Sequence, residues 1–332
     1  MAATISDVAK LAGCSITTVS RAFSAPGKVR EDTLSRIMQA AQTLNYSPNA
    51  IARAMVQQKN RSIAFVINEA QNPDGVINPF YSSIARTVQT EAAKYQFDVY
   101  TAYSNELDMD SASLFLNKRV DGMILAGQTN IQLLSRILAT HVPVVLVNNY
   151  VEHPDVVSVT SDDFGGAVSA IEHLIARGHT QIGLISGRLF PYISGSRYQA
   201  YMETMAIHRL PVYPGYIRQV EPTMEAALAC VTEMLQSGQA PTALFCMNDL
   251  IAVGAIKAAL RSGLRVPEDL AVVGFDGSSI STIVEPELTT VSVDTAQMGR
   301  FSVQKLMRMI AGEQITENHL EIKTQLVVRQ SS

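Results

Sequence analysis

The stretch that most constrains the fold is residues 4–23, TISDVAKLAGCSITTVSRAF. It reads as two short helices joined by a turn at Gly13. Thr4 is placed to cap the first, with Asp7 three residues on, and Ser15 is placed to cap the second. Val8, Ala9, Ala12, Val19 and Phe23 recur at spacings that turn apolar groups inward. The outer face of the second helix then carries Ile16, Thr17, Ser20 and Arg21. An ordinary helical hairpin shares the inner pattern. The outer face is what a helix lying in a DNA major groove needs: small or hydrogen-bonding groups and an arginine.

Charge is distributed to match. Residues 1–60 hold seven Lys/Arg and three acids, a net +4, whereas the whole chain of 332 residues is −4. A basic N-terminal module on an acidic body points to a polyanion partner at that end. A third helix is expected from Glu31 to Leu44, with Leu34, Ile37, Met38, Ala41 and Leu44 as its apolar stripe. Pro48 breaks the pattern, and a short amphipathic piece and a polar linker follow at 49–61.

From Ser62 the pattern changes. Apolar runs SIAFVI (62–67), FDVYTAY (97–103), DGMILA (121–126) and PVVLVN (143–148) alternate with helical stretches, the first near 80–95. QIGLIS (181–186), TALFC (242–246) and LAVVGFD (270–276) repeat the alternation, and EIKTQLVVRQ (321–330) reads as a closing strand. Near-continuous apolar strands between helices imply parallel sheets covered on both faces. Two such halves put ligands at the carboxyl ends of the strands. Apolar residues are 47% and charged residues 17%, so the chain has a core to bury. No apolar signal segment or membrane span is evident. Cys14, Cys230 and Cys246 show no paired spacing, which fits reduced thiols and no metal site.

The motifs DVAKLAGCSITTVSRAF (7–23), LNYSPNAIARAM (44–55), NPFYSSI (78–84), SDDFGGA (161–167), GSRYQAY (195–201), CMNDLIAVGA (246–255) and VPEDLAVVGFDG (266–277) occur in this order. In that order the chain resembles the lactose/galactose-repressor family of bacterial transcription factors over essentially residues 3–329. The resemblance implies an α/β fold: an all-α helix-turn-helix headpiece and two doubly wound parallel-sheet lobes of the periplasmic-binding-protein type. The implied divisions are a headpiece at 1–48, a hinge helix and linker at 49–61 and a core at 62–332. Within the core, one lobe takes about 62–160 and 294–320 and the other about 161–293 and 321–330.

By the same resemblance Ile16, Thr17 and Arg21 face base edges, and Thr4, Ser15, Ser20, Lys28, Arg30, Tyr46 and Asn49 are candidates for phosphate contacts. Ala52 and Met55 are the implied minor-groove residues of the hinge, with Met55 where relatives usually carry leucine. In the core, Arg197, Asp276, Asn248, Asn148, Phe80 and Tyr81 match effector positions. Two departures narrow the carry-over: the chain has no tryptophan to serve as a ligand platform near residue 222, and Val293 stands where the lactose repressor has glutamine.

The expectation is an effector-controlled repressor of a carbohydrate-use operon. Its partners would be pseudopalindromic operator DNA, a sugar, sugar acid or sugar phosphate, and a second copy of the chain, in the bacterial cytoplasm. A dimer is expected, since no leucine-heptad tail follows residue 330, and induction by ligand is the expected direction. No cofactor is expected. An enzyme is disfavoured, because no GxGxxG, P-loop, HExxH or GxSxG motif occurs and His141, His153, His173, His179 and His208 lie singly.

Overall fold

The structure, a computed structural model, describes residues 3–24, 26–46, 60–68, 78–104, 120–129, 131–187, 192–238 and 240–332. The chain divides into two compact units, 1–61 and 62–332.

The first unit holds α1 (Ile5–Ala12), α2 (Ile16–Ser24) and α3 (Glu31–Thr43). Thr4 starts α1 with a reciprocal cap: its Oγ1 accepts from the Asp7 N–H, and the Asp7 carboxylate accepts from the Thr4 N–H at 2.9 Å. Gly13 ends α1 at φ 65°, a left-handed conformation open to glycine without a Cβ clash. Ser15 Oγ then accepts from the Thr18 N–H at 3.1 Å and opens α2. Val8, Ala9, Ala12, Val19, Ala22, Ile37, Ala40 and Ala41 form the core of this unit. The stripe expected on α3 needs one correction. Met38 is 42% exposed, and Ala40, three residues past Ile37, faces inward instead. The close α1–α3 packing favours a small side chain at the seam.

The second unit is built on two sheets of six strands among the described residues. The first runs in the order β11-β5-β4-β3-β1-β2, from β1 (Ser62–Asn68), β2 (Asp98–Ser104), β3 (Gly122–Ala126), β4 (Val144–Val147), β5 (Val156–Ser161) and β11 (His319–Ile322). Against it lie α4 (Pro79–Lys94), α5 (Ile131–Leu138) and α10 (Thr295–Ile310). The second sheet runs β12-β10-β9-β8-β6-β7, from β6 (Ile182–Ser186), β7 (Ile217–Gln219), β8 (Ala243–Cys246), β9 (Ala271–Asp276), β10 (Thr289–Val293) and β12 (Thr324–Val327). It carries α6 (Asp163–Ala176), α7 (Ile193–Ile207), α8 (Met224–Gln236) and α9 (Asp249–Arg261). The chain crosses between sheets after Ser161, after Val293 and at Lys323.

Among the described residues the strand pairs are parallel, as expected, apart from the edge pair β10–β12, which is antiparallel. The single closing strand expected over 321–330 is two strands, one in each sheet, because the third crossing falls at Lys323. Strands β5, β7 and β10 escaped the search for apolar runs. In β5 and β10 the buried positions include Ser158, Thr160, Ser161, Thr289 and Thr290, and β7 is a short, half-exposed edge. The α8–α9 seam depends on Gly254, where an added Cβ would lie 2.5 Å from the Met224 carbonyl oxygen. Among the described residues no helix is long and apolar enough to cross a membrane.

Candidate functional site

The recognition face expected on α2 is on the surface. Ile16 is 50% exposed, Thr17 and Arg21 are exposed, and Ser20 is partly covered, while Val19 and Ala22 on the opposite side are fully buried. An apolar residue kept half in water at the start of such a helix is available to a thymine methyl, and Arg21, further along the same helix, is exposed. The candidate phosphate ligands divide into two kinds. Lys28 and Arg30 are exposed beyond the short turn Pro26–Lys28. The hydroxyls of Thr4 and Ser15 are already occupied in capping, so the groups left for a phosphate there are chiefly the N–H groups of the helix starts. Tyr46 is partly buried, its ring 6.0 Å from that of Phe23. Asn49, Ala52 and Met55 lie outside the described residues.

In the second unit the candidate effector residues converge at strand carboxyl ends. Asn148 follows β4 directly and sits at φ 54°, a left-handed geometry that asparagine tolerates. Asp276 ends β9 at φ 121°, far from ordinary L-residue conformations. Such a backbone persists only where its surroundings hold it, and it gathers at binding sites. Asn78 caps α4, with its Oδ1 accepting from the Phe80 N–H at 2.9 Å, and this sets Phe80 and Tyr81 on the first turn. Both rings are buried, edge to face at 5.2 Å. Tyr81 reaches the site through its hydroxyl, which accepts from Asn148 Nδ2 at 3.0 Å. Phe80 belongs to the core and supports Tyr81. Burial pushes the Tyr81 phenol up, so it stays protonated.

Arg197, the fifth residue of α7, is the hub. Its Nε donates to Asp163 Oδ1 at 2.8 Å and its Nη2 lies 2.6 Å from the same oxygen. Its Nη1 donates to the Met247 carbonyl and stands 3.9 Å from Asp276 Oδ1. The guanidinium also lies 3.5 Å over the Phe275 ring. Asp163, Asp249 and Asp276 are all buried. Burial raises the Asp163 carboxyl above its ordinary range, and Arg197 and more weakly Ser161 draw it back. Burial likewise raises Asp276 well above the usual carboxylate range, opposed by Arg197 and reinforced by the negative Asp249 and Asp163. Asp249 is pushed up to about 6, again by burial, although it accepts from the Ser278 N–H at 2.7 Å, Ser278 Oγ at 2.8 Å and Thr290 Oγ1 at 2.5 Å. Asn248 is tied to its helix: its Oδ1 caps α9 on the Ile251 N–H at 2.8 Å.

The structure therefore sets Arg197 against Asp276 and pairs Asn148 with Tyr81, whose phenol feels the charges of Asp276, Arg197 and Asp163, and it adds Asp163 and Asp249, which were not singled out from the sequence. Both stood inside quoted motifs, SDDFGGA and CMNDLIAVGA, but nothing local marks them as partners of a residue 34 positions on or of a distant loop. A flanking group was also missed. Tyr150 and Tyr192 stack at 5.0 Å beside His319, whose Nε2 is within 3.0 Å of the Tyr192 hydroxyl and 2.8 Å of Thr160 Oγ1. Among the described residues no His/Cys/Asp/Glu group could hold a metal ion.

This pairing of a helical first unit with a buried, carboxylate-lined site at strand ends has close parallels. The model for bacterial regulatory proteins of the lacI family matches residues 4–49, and that for a periplasmic binding protein-like domain matches residues 171–332. The HTH-type transcriptional repressor PurR of Aliivibrio salmonicida is 31% identical over 335 residues, spanning 99% of this chain and 98% of the relative. The chain belongs to the lacI family. The HTH-type transcriptional repressor CytR of Escherichia coli K12 is 30% identical and covers 100% of this chain and 96% of its own length. Among solved structures, the lac repressor dimer bound to operator and the anti-inducer ONPF superposes with a TM-score of 0.88 at 26% identity, over 100% of this chain and 99% of that one. A CelR–cellobiose complex superposes at 0.75, with 28% identity over 99% and 100%. LacI-family membership makes the protein a transcriptional regulator with a helix-turn-helix DNA-binding unit, and its relatives are repressors rather than enzymes.

Proposed function

We propose that this lacI-family member is a cytoplasmic operator-binding repressor that acts as a homodimer and is released from DNA by a small sugar-type effector bound between its two lobes. The observation that carries the DNA-binding half is α2, with Val19 and Ala22 buried and Ile16, Thr17 and Arg21 presented outward. Arg21 reads a guanine, Ile16 meets a thymine methyl, and Lys28 and Arg30 hold the backbone. Residues 49–61 would serve as the hinge, with Ala52 and Met55 as its minor-groove residues. A dimer reads half-sites about one helical turn apart. The hub around Arg197, Asp276, Asn148 and Tyr81 supports the effector half, since it places charged and polar groups at strand ends where such folds bind ligands. The lac repressor–operator and CelR–cellobiose structures support the same assignment by similarity.

Selection of operator DNA from a random pool, followed by fluorescence anisotropy, tests the reading. A pseudopalindrome is expected, with affinity lost on Arg21→Ala and weakened by a binding sugar. Absence of any sequence preference would refute it.

A further inference from the structure

Resting on that reading of the core as an effector site, we infer that the effector is an uncharged, hydroxyl-rich molecule and that Asp163 is the residue that turns away the corresponding sugar acids and sugar phosphates.

Arg197 has most of its charge and donors already engaged. A guanidinium carries five N–H donors. Here Nε and Nη2 both point at Asp163 Oδ1, at 2.8 and 2.6 Å, and Nη1 is donated to the Met247 carbonyl. Its charge is already compensated by Asp163, with Asp276 3.9 Å away as a second counter-charge. An anion arriving at this group would therefore meet a neutralised arginine. It would find two N–H groups left, one on each Nη, on a cation whose charge is already matched, rather than the uncompensated fork that recognises carboxylate or phosphate.

The surroundings lean further the same way. Asp163, Asp249 and Asp276 place three carboxyl groups around one guanidinium, all of them buried. Among the described residues no second Lys or Arg forms an ion pair with any of the three. A buried anion beside these carboxyls would lose its water and face like charge, two penalties that add.

The unused hydrogen-bonding capacity matches this. Asn148 Oδ1 is a buried acceptor without a hydrogen-bond partner, and Asp163 Oδ2 makes no close hydrogen bond, although the Ser161 hydroxyl bears on that carboxyl. Residue 163 is 3% exposed and residue 148 is 6% exposed, so bulk water does not satisfy them. Lone pairs in this position call for donors. Sugar hydroxyls donate and accept. They can meet Asp163 Oδ2, Asn148 Oδ1 and Asp276 while still accepting from the Tyr81 hydroxyl, whose oxygen already takes the Asn148 amide. A carboxylate or a phosphate dianion only accepts, and would leave these acceptors unmatched.

The test uses matched probes on the full-length protein near neutral pH: glucose, glucuronate and glucose 6-phosphate; galactose and galacturonate; ribose and ribose 5-phosphate. Thermal shift finds the binding set and calorimetry gives its dissociation constants. The neutral member is expected to bind at least about tenfold more tightly than its anionic counterparts. In Asp163→Asn, which keeps an oxygen for Arg197 and removes the charge, that ratio is expected to fall by at least about tenfold. If an anionic member binds the wild type more tightly, the inference is overturned and the effector-site reading stands. If Asp163→Asn folds and leaves the ratio unchanged, the role of Asp163 is overturned. Should that variant not fold, the wild-type ratios alone decide the class. If no probe of either kind binds, the sugar-effector reading itself fails and this inference falls with it.

Discussion

Removing the Arg197 charge should unfold the core more easily than any surface charge change. In Arg197→Met the aliphatic part of the side chain over Phe275 is largely kept, while Asp163 loses its Nε and Nη2 partners and Asp276 loses its nearest cation. Both carboxyls are buried, with side chains 3% and 11% exposed. Breaking one half of a buried ion pair costs about 3–5 kcal/mol, because the remaining charge stays desolvated. Part of that cost is relieved by protonation, since burial already raises both carboxyls. The lower end, about 3 kcal/mol near neutral pH, is therefore expected. For a unit of this size that lowers Tm by roughly 6–12 °C. The control is Arg265→Met. It breaks the Arg265–Asp269 pair, which is as short at 2.7 Å but lies in water, with the arginine side chain 70% exposed, and should cost far less than Arg197→Met. Far-UV circular dichroism during heating reads both. The double variant Asp163→Asn/Arg197→Met should recover part of the loss, because it removes the stranded charge as well. A single Arg197→Met variant as stable as Arg265→Met, or a double variant no better than the single, would refute the reasoning.

Four further outcomes follow from the structure. Ser15→Ala removes the cap of α2 and should destabilise the helical N-terminal unit of the full chain by about 1 kcal/mol while weakening operator binding, read by circular dichroism and anisotropy. Gly254→Ala should destabilise the core by roughly 1–3 kcal/mol, since the new methyl meets backbone at 2.5 Å and cannot move aside; urea titration checks it. Neutral-sugar affinity should rise with pH across the acid range, because hydroxyls donate best to ionised carboxyls and Asp276, like its neighbour Asp249, is held protonated to higher pH than usual. The same raised values mean the folded core binds protons that the unfolded chain has released. Stability should thus fall, through these groups, as pH climbs from about 4 to about 6, and calorimetry across that window would show the reverse slope if the sign were wrong.

Local signals carried most of the architecture. Thr4 with Asp7, Gly13 and Ser15 are chemistries of helix ends, complete within a few residues, so α1 and α2 were legible at once. The apolar strands β1, β3, β4, β6, β8 and β9 were legible for the same reason: each buries a continuous run. Strands β5 and β10 were not, because Ser and Thr are buried there, with sheet and long-range hydrogen bonds that no short window reveals. The split of 321–330 between two sheets was also hidden, since one extended segment looks the same whichever sheet takes each half.

The sequence by itself determined the helical N-terminal unit, the alternating core, the family, and the residues Arg197, Asp276 and Asn148 as site candidates. Only the tertiary structure decided what Arg197 is for. Its partners Asp163 and Met247 come from elements 34 and 50 positions away. A guanidinium in a motif reads as a free anion hook until the fold brings a buried carboxylate against it. Charge compensation and desolvation depend on distance in space, and no spacing along the chain encodes them.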